Sequence, residues 1–511
     1  MLPRPMAQGA DTIVVGAGAA GAVIAARVTE RSDREVLLLE AGRDYPDASA
    51  LPSDLLDGTR NAMKSHDWGF THRVNEQQRL TFPLPRGRVV GGSSAVNTCI
   101  ALRGVPSDYD EWAGLGLPEW AWERCLPAFK RLENDLDVVN EWHSQSGPIP
   151  LRRHPPEELV PWQRAFMEAA ASLGFPRCDD HNDPRAKGYG PHAMNKINGQ
   201  RMSAARCYLT PAVRARPNLT IRASAPVRRV LIEDGRAVGV EVDGAGGVEV
   251  IRAKAVVLSG GAIATPGILL RSGVGPRRVV ESLGVALTRD LSAVGARLLD
   301  HPGAAFFLWP KRGVSHTTDP LIQTALRFRS EGSAHENDLQ IQAGSFWAFP
   351  FAHIPGVSLM IQVGKPRGHG LIRWTSADPA VRPVITSRLL DDPMDRAKAV
   401  DALEVALRCA DTPAMRALAT PVFPPTRVLR ARAALDAWVR TVCDSGYHPC
   451  GTVPMGASAV EGAVDAHGRV FGVEGLRVAD ASIMPTIPTC NTHLPTLMIG
   501  ERMAEWIRDG D

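Results

Sequence analysis

The segment Thr12–Gly42 contains a complete nucleotide-binding unit, and it constrains the fold more than any other stretch of the chain. It begins with an apolar, β-branched run from Ile13 to Val15, which predicts a buried parallel strand. A helix from Ala19 to about Arg31 is predicted after it. Between strand and helix stands the pattern G-x-G-x-x-G, formed by Gly16, Gly18 and Gly21. Such glycines let backbone N–H groups approach a pyrophosphate at the N-terminus of the helix.

A second apolar strand, from Val36 to Leu39, ends at Glu40. A carboxylate at this place accepts hydrogen bonds from an adenosine ribose and disfavours a 2′-phosphate, so FAD or NAD fits better than NADP. A glycine-rich turn with a purely structural purpose is the alternative. The strand, glycines, helix, second strand and acid stand in one register, which favours the dinucleotide interpretation.

Composition excludes several classes of partner. The 511 residues, 44% of them hydrophobic, suffice for a large core and predict two or three domains. The net charge of +3 gives no field that would attract nucleic acid or an anionic membrane. The first ten residues lack the apolar core of a signal peptide, and no run approaches the ~18 apolar residues of a membrane helix. We therefore expect a soluble, cytoplasmic protein whose eight scattered cysteines are reduced.

A second glycine-rich stretch, Gly87 to Asn97, reads GRVVGGSSAVN. Its paired glycines and two serines bring unhindered backbone and hydroxyl groups together, which suits close approach to a flat ring or a phosphate. For this stretch alone, an ordinary glycine-rich turn is the alternative.

Together with the first unit, GRVVGGSSAVNTCIALRG resembles a signature of the glucose-methanol-choline oxidoreductases, a family that binds FAD. The resemblance extends over nearly the whole chain. GAIATPGILLRSGVG at residues 261–275 is similar to the second signature of the family, and GLRVADASIMPTIPTCNTHLPTLMIGERMAEW looks like its closing flavin segment. The stretches DYDEW, GPIP and ADASIMPT are most similar to members that oxidise furanic and aryl alcohols.

The resemblance implies an α/β fold with a discontinuous, Rossmann-like FAD-binding domain and a second, α+β substrate-binding domain built on an antiparallel sheet. The FAD-binding domain is expected to comprise residues 10–150, 205–302 and 440–511, and the substrate-binding domain residues 151–204 and 303–439. The alternating pattern over Leu219–Val250 predicts a hairpin or meander. Ala255–Leu258 predicts a returning parallel strand, and Asp300-His301-Pro302 is interpreted as the passage into the substrate-binding domain.

The first unit and the resemblance together imply a set of cofactor contacts, which are Gly16, Gly18, Ala19, Ala20, Gly21, Glu40, Ala41, Arg88, Val90, Gly91, Gly92, Ser93, Asn97, Val227, Gly260, Asp480, Ala481, Asn491 and Thr492. By resemblance, Val227 lies near the adenine and Asp480 near the ribityl or pyrophosphate part. Some members attach FAD covalently through a histidine at the position of Val96. The valine predicts non-covalent, dissociable FAD.

The C-terminal segment predicts a helix with Pro495 at its first position, followed by Thr496 to Ile507. The N-terminus of such a helix can stabilise the negative charge of a reduced flavin. Packing of the chain end is its alternative role.

The residues suited to alcohol oxidation are His448, in GYHPCGT, and Asn491, in TCNTH. Removing a hydride from an alcohol carbon leaves an oxygen that must lose its proton, and an imidazole with a pKa near neutrality suits this base role. Asn491 can hydrogen-bond the same oxygen and orient the carbon. In the resembled family these positions hold His with His or Asn. His493 is the rival base, because it lies on the same face as Asn491 if the segment is extended.

A metal site is a further possibility in this region, since all of its candidate ligands are of the right type: Cys443, His448, Cys450, Cys490 and His493. Their spacing matches no tetrahedral zinc pattern, so no metal is expected.

An aromatic cluster stands in the middle of the chain and consists of Phe346, Trp347, Phe349 and Phe351. It either lines a pocket for a planar substrate or fills the core, and the core interpretation is favoured because aromatic side chains most often fill cores.

We therefore expect an FAD-dependent enzyme acting on the CH–OH group of donors. It would oxidise a primary aryl or furanic alcohol to an aldehyde by hydride transfer to flavin N5, with dioxygen as acceptor and hydrogen peroxide as product. The alternatives are a dehydrogenase with another acceptor, a hydroxynitrile lyase of the same fold, and a non-catalytic FAD-binding protein.

Overall fold

The computed structural model describes residues 10–62, 64–244, 246–349, 352–423, 429 and 431–510. Two large sheets organise this part of the chain, and the α/β class expected from the sequence is confirmed. The helices are Ala19–Val28, Ser53–Leu56, Pro106–Gly114, Trp122–Leu132, Pro161–Ser172, Ala204–Tyr208, Pro211–Arg214, Gly261–Arg271, Arg277–Ser282, Pro393–Ala410, Pro413–Arg416, Arg432–Val442 and His493–Asp509. None of these described helices has both the length and the hydropathy of a membrane span.

The first sheet, called here the nucleotide sheet, is seven-stranded within the described residues. Its strands in spatial order are Leu219–Arg222, Val36–Leu39, Ala10–Val15, Gly247–Leu258, Arg236–Gly244 and Val227–Glu233, with Leu476–Val478 also paired to Gly247–Leu258. The long strand Gly247–Leu258 takes part in two arrangements. Its first half pairs antiparallel with Arg236–Gly244, whereas its end runs parallel to Ala10–Val15 with Leu258 opposite Val15. The predicted strand Val36–Leu39 is confirmed and fully buried.

The segment Leu219–Val250 differs in part from its prediction. The meander begins only at Val227, and Leu219–Arg222 instead forms a parallel edge strand beside Val36–Leu39. Alternation of apolar and polar residues is the same in a parallel edge strand and in a hairpin, so the local pattern does not distinguish the two.

The second sheet, called here the substrate sheet, is antiparallel and also seven-stranded within the described residues. Its strands in spatial order are Ala419–Phe423, Pro302–Pro310, Val357–Val363, Leu339–Gly344, Thr324–Phe328 and Gly188–Pro191, with Asp444–Ser445 paired to Pro302–Pro310. The helices Pro161–Ser172 and Pro393–Ala410 pack on it and share its hydrophobic core. The domain boundaries given above stay a prediction.

The smaller strands form short pairs and one four-stranded sheet among the described residues. The four strands in order are Leu371–Arg373, Val384–Thr386, Thr71–Arg73 and Thr81–Pro83. The pairs are Glu133–Asp135 with Ile149–Leu151, Lys196–Ile197 with Gln200–Arg201, Val274–Gly275 with Arg289–Asp290, and Trp347–Ala348 with His353–Ile354. The 3-10 helices are Ala48–Ala50, Gly92–Ala95, Pro118–Trp120, Pro156–Glu158 and Ala481–Ile483.

Two helix predictions are corrected by the structure. The first helix ends at Val28 rather than near Arg31. At this end, the hydroxyl of Thr29 donates to the carbonyl of Ala25 at 2.7 Å. The last helix begins at His493, which places Pro495 at its third position instead of its first. The first four N–H groups of a helix have no intrahelical partner, so a proline is tolerated at the third position as well.

Candidate active site

A cavity of about 1160 Å³ is lined by both glycine-rich stretches, by the nucleotide sheet and by the substrate sheet. Most of the predicted cofactor residues line it: Gly16, Gly18, Ala19, Ala20, Glu40, Ala41, Arg88, Gly92, Ser93, Asn97, Val227, Gly260, Asp480, Ala481, Asn491 and Thr492. The predicted base His448 and its rival His493 line it too. Gly21, Val90 and Gly91 are not among its lining residues. The structure thus brings together residues that are up to about 480 positions apart in the sequence.

The two glycine-rich stretches touch through their backbones at one wall of the cavity. Gly92 has φ +52°, and a Cβ added there would lie 2.7 Å from Cα of Gly18. Gly21 is in close contact with the turn before the helix, because a Cβ added there would lie 1.9 Å from the carbonyl oxygen of Gly16. It permits close packing of the first helix on its strand, whereas Gly18 and Gly92 keep the cavity wall free of side chains.

Two helix N-termini face this cavity without neutralising groups. The helix Ala19–Val28 is preceded by Gly18 and has no side-chain cap and no acidic residue in its first turn. The same holds for His493–Asp509, which is preceded by Thr492. An uncapped N-terminus carries partial positive charge and exposed N–H donors. Each of these ends is therefore suited to hold an anionic group of a ligand.

Glu40 is fixed at the cavity wall by backbone donors. Its carboxylate accepts the N–H of Ala17 at 2.9 Å and that of Gly42 at 2.8 Å. Burial raises the pKa of this carboxyl to about 7. The position at the end of the second strand is the one expected for a ribose contact.

Asp480 lies between two helix starts, and both of its oxygens have protein partners. One accepts the N–H of Ser482 at 2.7 Å, and the other accepts the N–H of Gly261 at 2.8 Å and the hydroxyl of Thr265 at 2.7 Å. Burial raises the pKa of this carboxyl. Asp480 therefore caps two helices at the cavity, a structural purpose that the sequence did not indicate.

His448 and Asn491 form a direct contact at the cavity. The side-chain nitrogen Nδ2 of Asn491 lies 3.0 Å from Nε2 of His448. His448 follows Tyr447, which adopts φ +62°, an uncommon conformation for a residue other than glycine. Burial, the neighbouring His301 ring and the Arg86 charge hold the pKa of His448 well below its usual range. At neutral pH the imidazole is therefore in its proton-accepting form.

His493 is placed differently from the other two predicted residues. It is the first residue of the last helix, not part of an extended segment beside Asn491. Its Nε2 has no hydrogen-bond partner among the described residues, and burial lowers its pKa to about 4.

Two further residues of the site are Asp300 and His301, for which the sequence indicates only a passage between domains. Nδ1 of His301 lies 2.9 Å from Nδ1 of His448. One carboxylate oxygen of Asp300 accepts the backbone N–H of His301 at 2.8 Å and that of His448 at 2.9 Å. The dipeptide Asp-His before a proline at a domain passage was the available signal, but only the fold shows that it meets His448.

The aromatic cluster lines the cavity, which corrects the favoured core interpretation. Phe346, Trp347 and Phe349 are all lining residues, and Phe351 lies outside the described residues. The ring centroid of Phe307 lies 5.7 Å from that of Trp347 and 6.5 Å from that of Phe349. Phe346 is also buried, so it serves both purposes. Trp347–Ala348 pairs with His353–Ile354 in a two-stranded sheet that is separate from the substrate sheet.

The one group of described residues with three clustered metal-ligand atoms lies elsewhere, at Glu133, Asp135 and His143. Arg103 pairs with Glu133, and Nη1 of Arg153 lies 2.8 Å from Oδ1 of Asp135. Guanidinium groups thus already neutralise these carboxylates, as expected for a buried ion-pair network.

Comparisons with known proteins agree with this geometry. A family model described as GMC oxidoreductase matches residues 10–303, and a second model with the same description matches residues 366–500. The chain is 34% identical to 5-(hydroxymethyl)furfural oxidase of Methylovorus sp. (strain MP688), over 97% of this chain and 98% of that protein. It is 33% identical to oxygen-dependent choline dehydrogenase of Photobacterium profundum, over 97% and 92% respectively. The solved structure of pyridoxine 4-oxidase from Mesorbium loti superposes with a TM-score of 0.89 at 30% identity, over 97% of this chain and 99% of that one.

Proposed function

Because the chain belongs to the glucose-methanol-choline (GMC) oxidoreductase family, we propose that it is an alcohol oxidase that converts a primary aryl or furanic alcohol to the aldehyde. Its cofactor is FAD, and the enzyme acts on the CH–OH group of donors. The substrate class, the use of dioxygen and the non-covalent attachment of FAD are parts of this proposal.

The residues at the cavity fit FAD. The side-chain-free wall at Gly18 and Gly92 and the uncapped N-terminus of Ala19–Val28 suit a pyrophosphate. Glu40 lines the same cavity and would hold a ribose there, and the uncapped N-terminus of His493–Asp509 suits the negative charge of a reduced flavin. Bound FAD would supply the acceptor, at N5, for the hydride of the alcohol carbon. Val96 offers no nucleophile for a covalent link.

The contact between His448 and Asn491 is the observation that carries the proposed chemistry. Both side chains line the same cavity as the glycine wall, and 3.0 Å separates their nitrogens. We assign His448 as the base that takes the hydroxyl proton of the alcohol through Nε2. Asn491 donates an N–H toward the same point and would hold the alcohol oxygen there. Burial keeps the imidazole neutral and ready to accept that proton.

The character of the substrate-sheet wall supports a planar, uncharged substrate. The described lining residues between 303 and 362 have no charged side chain. Phe307, Trp347 and Phe349 offer aromatic faces for offset or edge-to-face contact with a ring, and Gln342 and Gln362 add uncharged polar groups. The relative named 5-(hydroxymethyl)furfural oxidase supports the furanic member of this class.

The test is anaerobic mixing of the purified holoenzyme with aryl, furanic and aliphatic alcohols, followed by visible flavin absorbance before and after air is admitted. We expect bleaching by aryl or furanic alcohols and rapid recovery in air. Bleaching that persists in air would replace dioxygen with another acceptor. If no alcohol bleaches the flavin, the oxidase proposal fails and the hydroxynitrile lyase alternative is favoured. Acid precipitation should release FAD into the supernatant, and flavin retained on the pellet would contradict non-covalent binding.

A further inference from the structure

We propose that His301 is a positioning residue that fixes the tautomer of His448, so that the unprotonated Nε2 of His448 faces Asn491 and the cavity. This inference rests on the proposed base role of His448. Its evidence is a continuous series of short contacts between buried groups, which determines where each proton lies.

The series begins at Nε2 of His301. This atom lies 3.0 Å from the carbonyl oxygen of Gly364 and 2.9 Å from that of Pro488. A carbonyl oxygen can only accept, so Nε2 of His301 must carry a hydrogen and donate it. The ring is fully buried, and burial lowers its pKa to about 4. His301 is therefore neutral, and its single ring proton is on Nε2. Its Nδ1 has a free lone pair.

The next contact transfers this constraint to the base. Nδ1 of His301 and Nδ1 of His448 are 2.9 Å apart, and one of them must donate. Because Nδ1 of His301 has the lone pair, Nδ1 of His448 carries the hydrogen. A neutral His448 then has its lone pair on Nε2, which accepts an N–H of Asn491 at 3.0 Å. The opposite assignment would direct a lone pair of His301 at two carbonyl oxygens.

The backbone around the two rings keeps this arrangement in place. Asp300 accepts the backbone N–H groups of both histidines, and Gly446 donates its backbone N–H to the carbonyl of His301 at 2.8 Å. The ring centroids are 5.0 Å apart with planes inclined by 76°. When His448 takes a proton, its Nδ1–H bond to His301 becomes charge-assisted and therefore stronger. His301 thus supports both protonation states of the base.

Among the described residues, Arg86 acts on His448 and on Asp300, which accepts the backbone N–H of His448. Asp108 and Lys365 act on His301. Lys365 lies 3.4 Å from Asp108 and 2.5 Å from Glu111, so both carboxylates help to neutralise its charge. A change at residue 301 that keeps these groups should therefore alter the pH dependence through His448 itself.

Two substitutions separate positioning from simple packing. His301→Leu removes the acceptor while keeping much of the volume, and His301→Asn supplies an amide oxygen near the place of Nδ1. With FAD fully bound in both variants, we expect the Leu variant to reduce flavin more slowly by a factor within the ~10²–10⁴ range that a general base supplies. Its pH profile should shift, with a smaller effect on KM. The Asn variant should recover most of the rate and the original profile.

A second measurement is independent of turnover. Nitrogen-15 NMR of the holoenzyme with labelled histidine distinguishes protonated from unprotonated ring nitrogens, and His448→Gln identifies the signals of residue 448. We expect a hydrogen on Nδ1 and none on Nε2 of His448 in the resting enzyme. A hydrogen on Nε2 of His448 would overturn the proposal, and this result does not depend on whether the Leu variant folds. Equal losses in the rate of flavin reduction in both variants with an unchanged pH profile would also overturn it. A wild-type rate of flavin reduction in the Leu variant would do the same. If no alcohol reduces the flavin, the proposed function fails, and NMR still decides the tautomer.

Discussion

Asp300 supports both histidines of the site, so its replacement has a predictable cost. Asp300 is 3% exposed, and its carboxylate accepts the backbone N–H groups of His301 and His448 and the hydroxyl of Ser445. Asp300→Ala would leave the two backbone donors without a partner in the protein interior, whereas a hydroxyl can rotate toward another acceptor. Each unsatisfied buried group costs about 1–3 kcal/mol, so the free energy of unfolding should fall by about 2–6 kcal/mol. Asp300→Asn keeps an accepting oxygen and should lose much less.

The corresponding change in melting temperature follows from chain length. An unfolding entropy of about 2.1 cal/mol/K per residue gives about 1 kcal/mol/K for 511 residues. Asp300→Ala should therefore melt about 2–6 °C below the wild type in calorimetry of the holoenzyme at one scan rate. The melting temperature of Asp300→Asn should lie between those of Asp300→Ala and the wild type, and close to that of the wild type. An Ala variant that melts with the wild type, or an Asn variant as unstable as the Ala variant, would refute the assignment of Asp300 as the shared acceptor.

Three further predictions concern the cavity and the core. Gly92→Ala would place a Cβ 2.7 Å from Cα of Gly18 and should weaken FAD binding by about 1–3 kcal/mol in a fluorescence titration. Gly114→Ala is the control and should bind FAD like the wild type, because nothing lies within 4 Å of the added Cβ. Equal FAD affinities of the two variants would contradict the proposed wall. Trp347→Ala should raise KM for an aryl alcohol up to about tenfold with little effect on an aliphatic one, and equal effects on both would argue against ring recognition. Burial lowers the pKa of His181 to about 3. Below about pH 6.5 the unfolded chain therefore binds a proton that the folded chain does not. The stability present above about pH 6.5 is lost as the pH falls, and the loss reaches about 2 kcal/mol at pH 5. Between pH 7 and pH 5, the melting temperature of His181→Leu should therefore fall by about 2 °C less than that of the wild type. His316→Leu, at an exposed histidine, is the control. If the melting temperature of His181→Leu falls as far as that of the wild type, His181 is not a neutral buried residue.

The nucleotide-binding unit was predictable because its evidence is local. A strand, a glycine turn, a helix and a second strand follow one another within Thr12–Gly42, and Val36–Leu39 is found as predicted. Boundaries failed where local signals were ambiguous. Between Trp112 and Glu133, for example, the Trp, Leu and Phe residues have helical spacing in the sequence, but the structure divides this stretch between the helix Pro106–Gly114, a 3-10 turn and the helix Trp122–Leu132. Gly116 adopts φ +82° in the break, and the carboxylate of Asp110 accepts the N–H of Trp122 at 3.0 Å, where the second helix begins.

The contacts of the site depend on long-range placement, which a single sequence does not contain. His301 and His448 are separated by 147 positions, and strand Pro302–Pro310 brings them together by pairing with Asp444–Ser445. The aromatic stretch after Phe346 has the composition of a core segment, and only the structure shows that Trp347 and Phe349 line the cavity. Sequence motifs therefore indicated the candidate base, whereas its contact with His301 and the aromatic cavity wall could be recognised only in the fold.

The most direct test of the account compares two histidines that line the same cavity. His448→Gln and His493→Gln, each loaded with FAD, are mixed anaerobically with the best alcohol, and the rate of flavin reduction is followed by stopped flow. With His448 as the base, its replacement should slow reduction by ~10²–10⁴-fold, while His493→Gln should retain most of the wild-type rate. The opposite order, or an unchanged rate for His448→Gln, would contradict the central claim that His448 takes the proton of the alcohol.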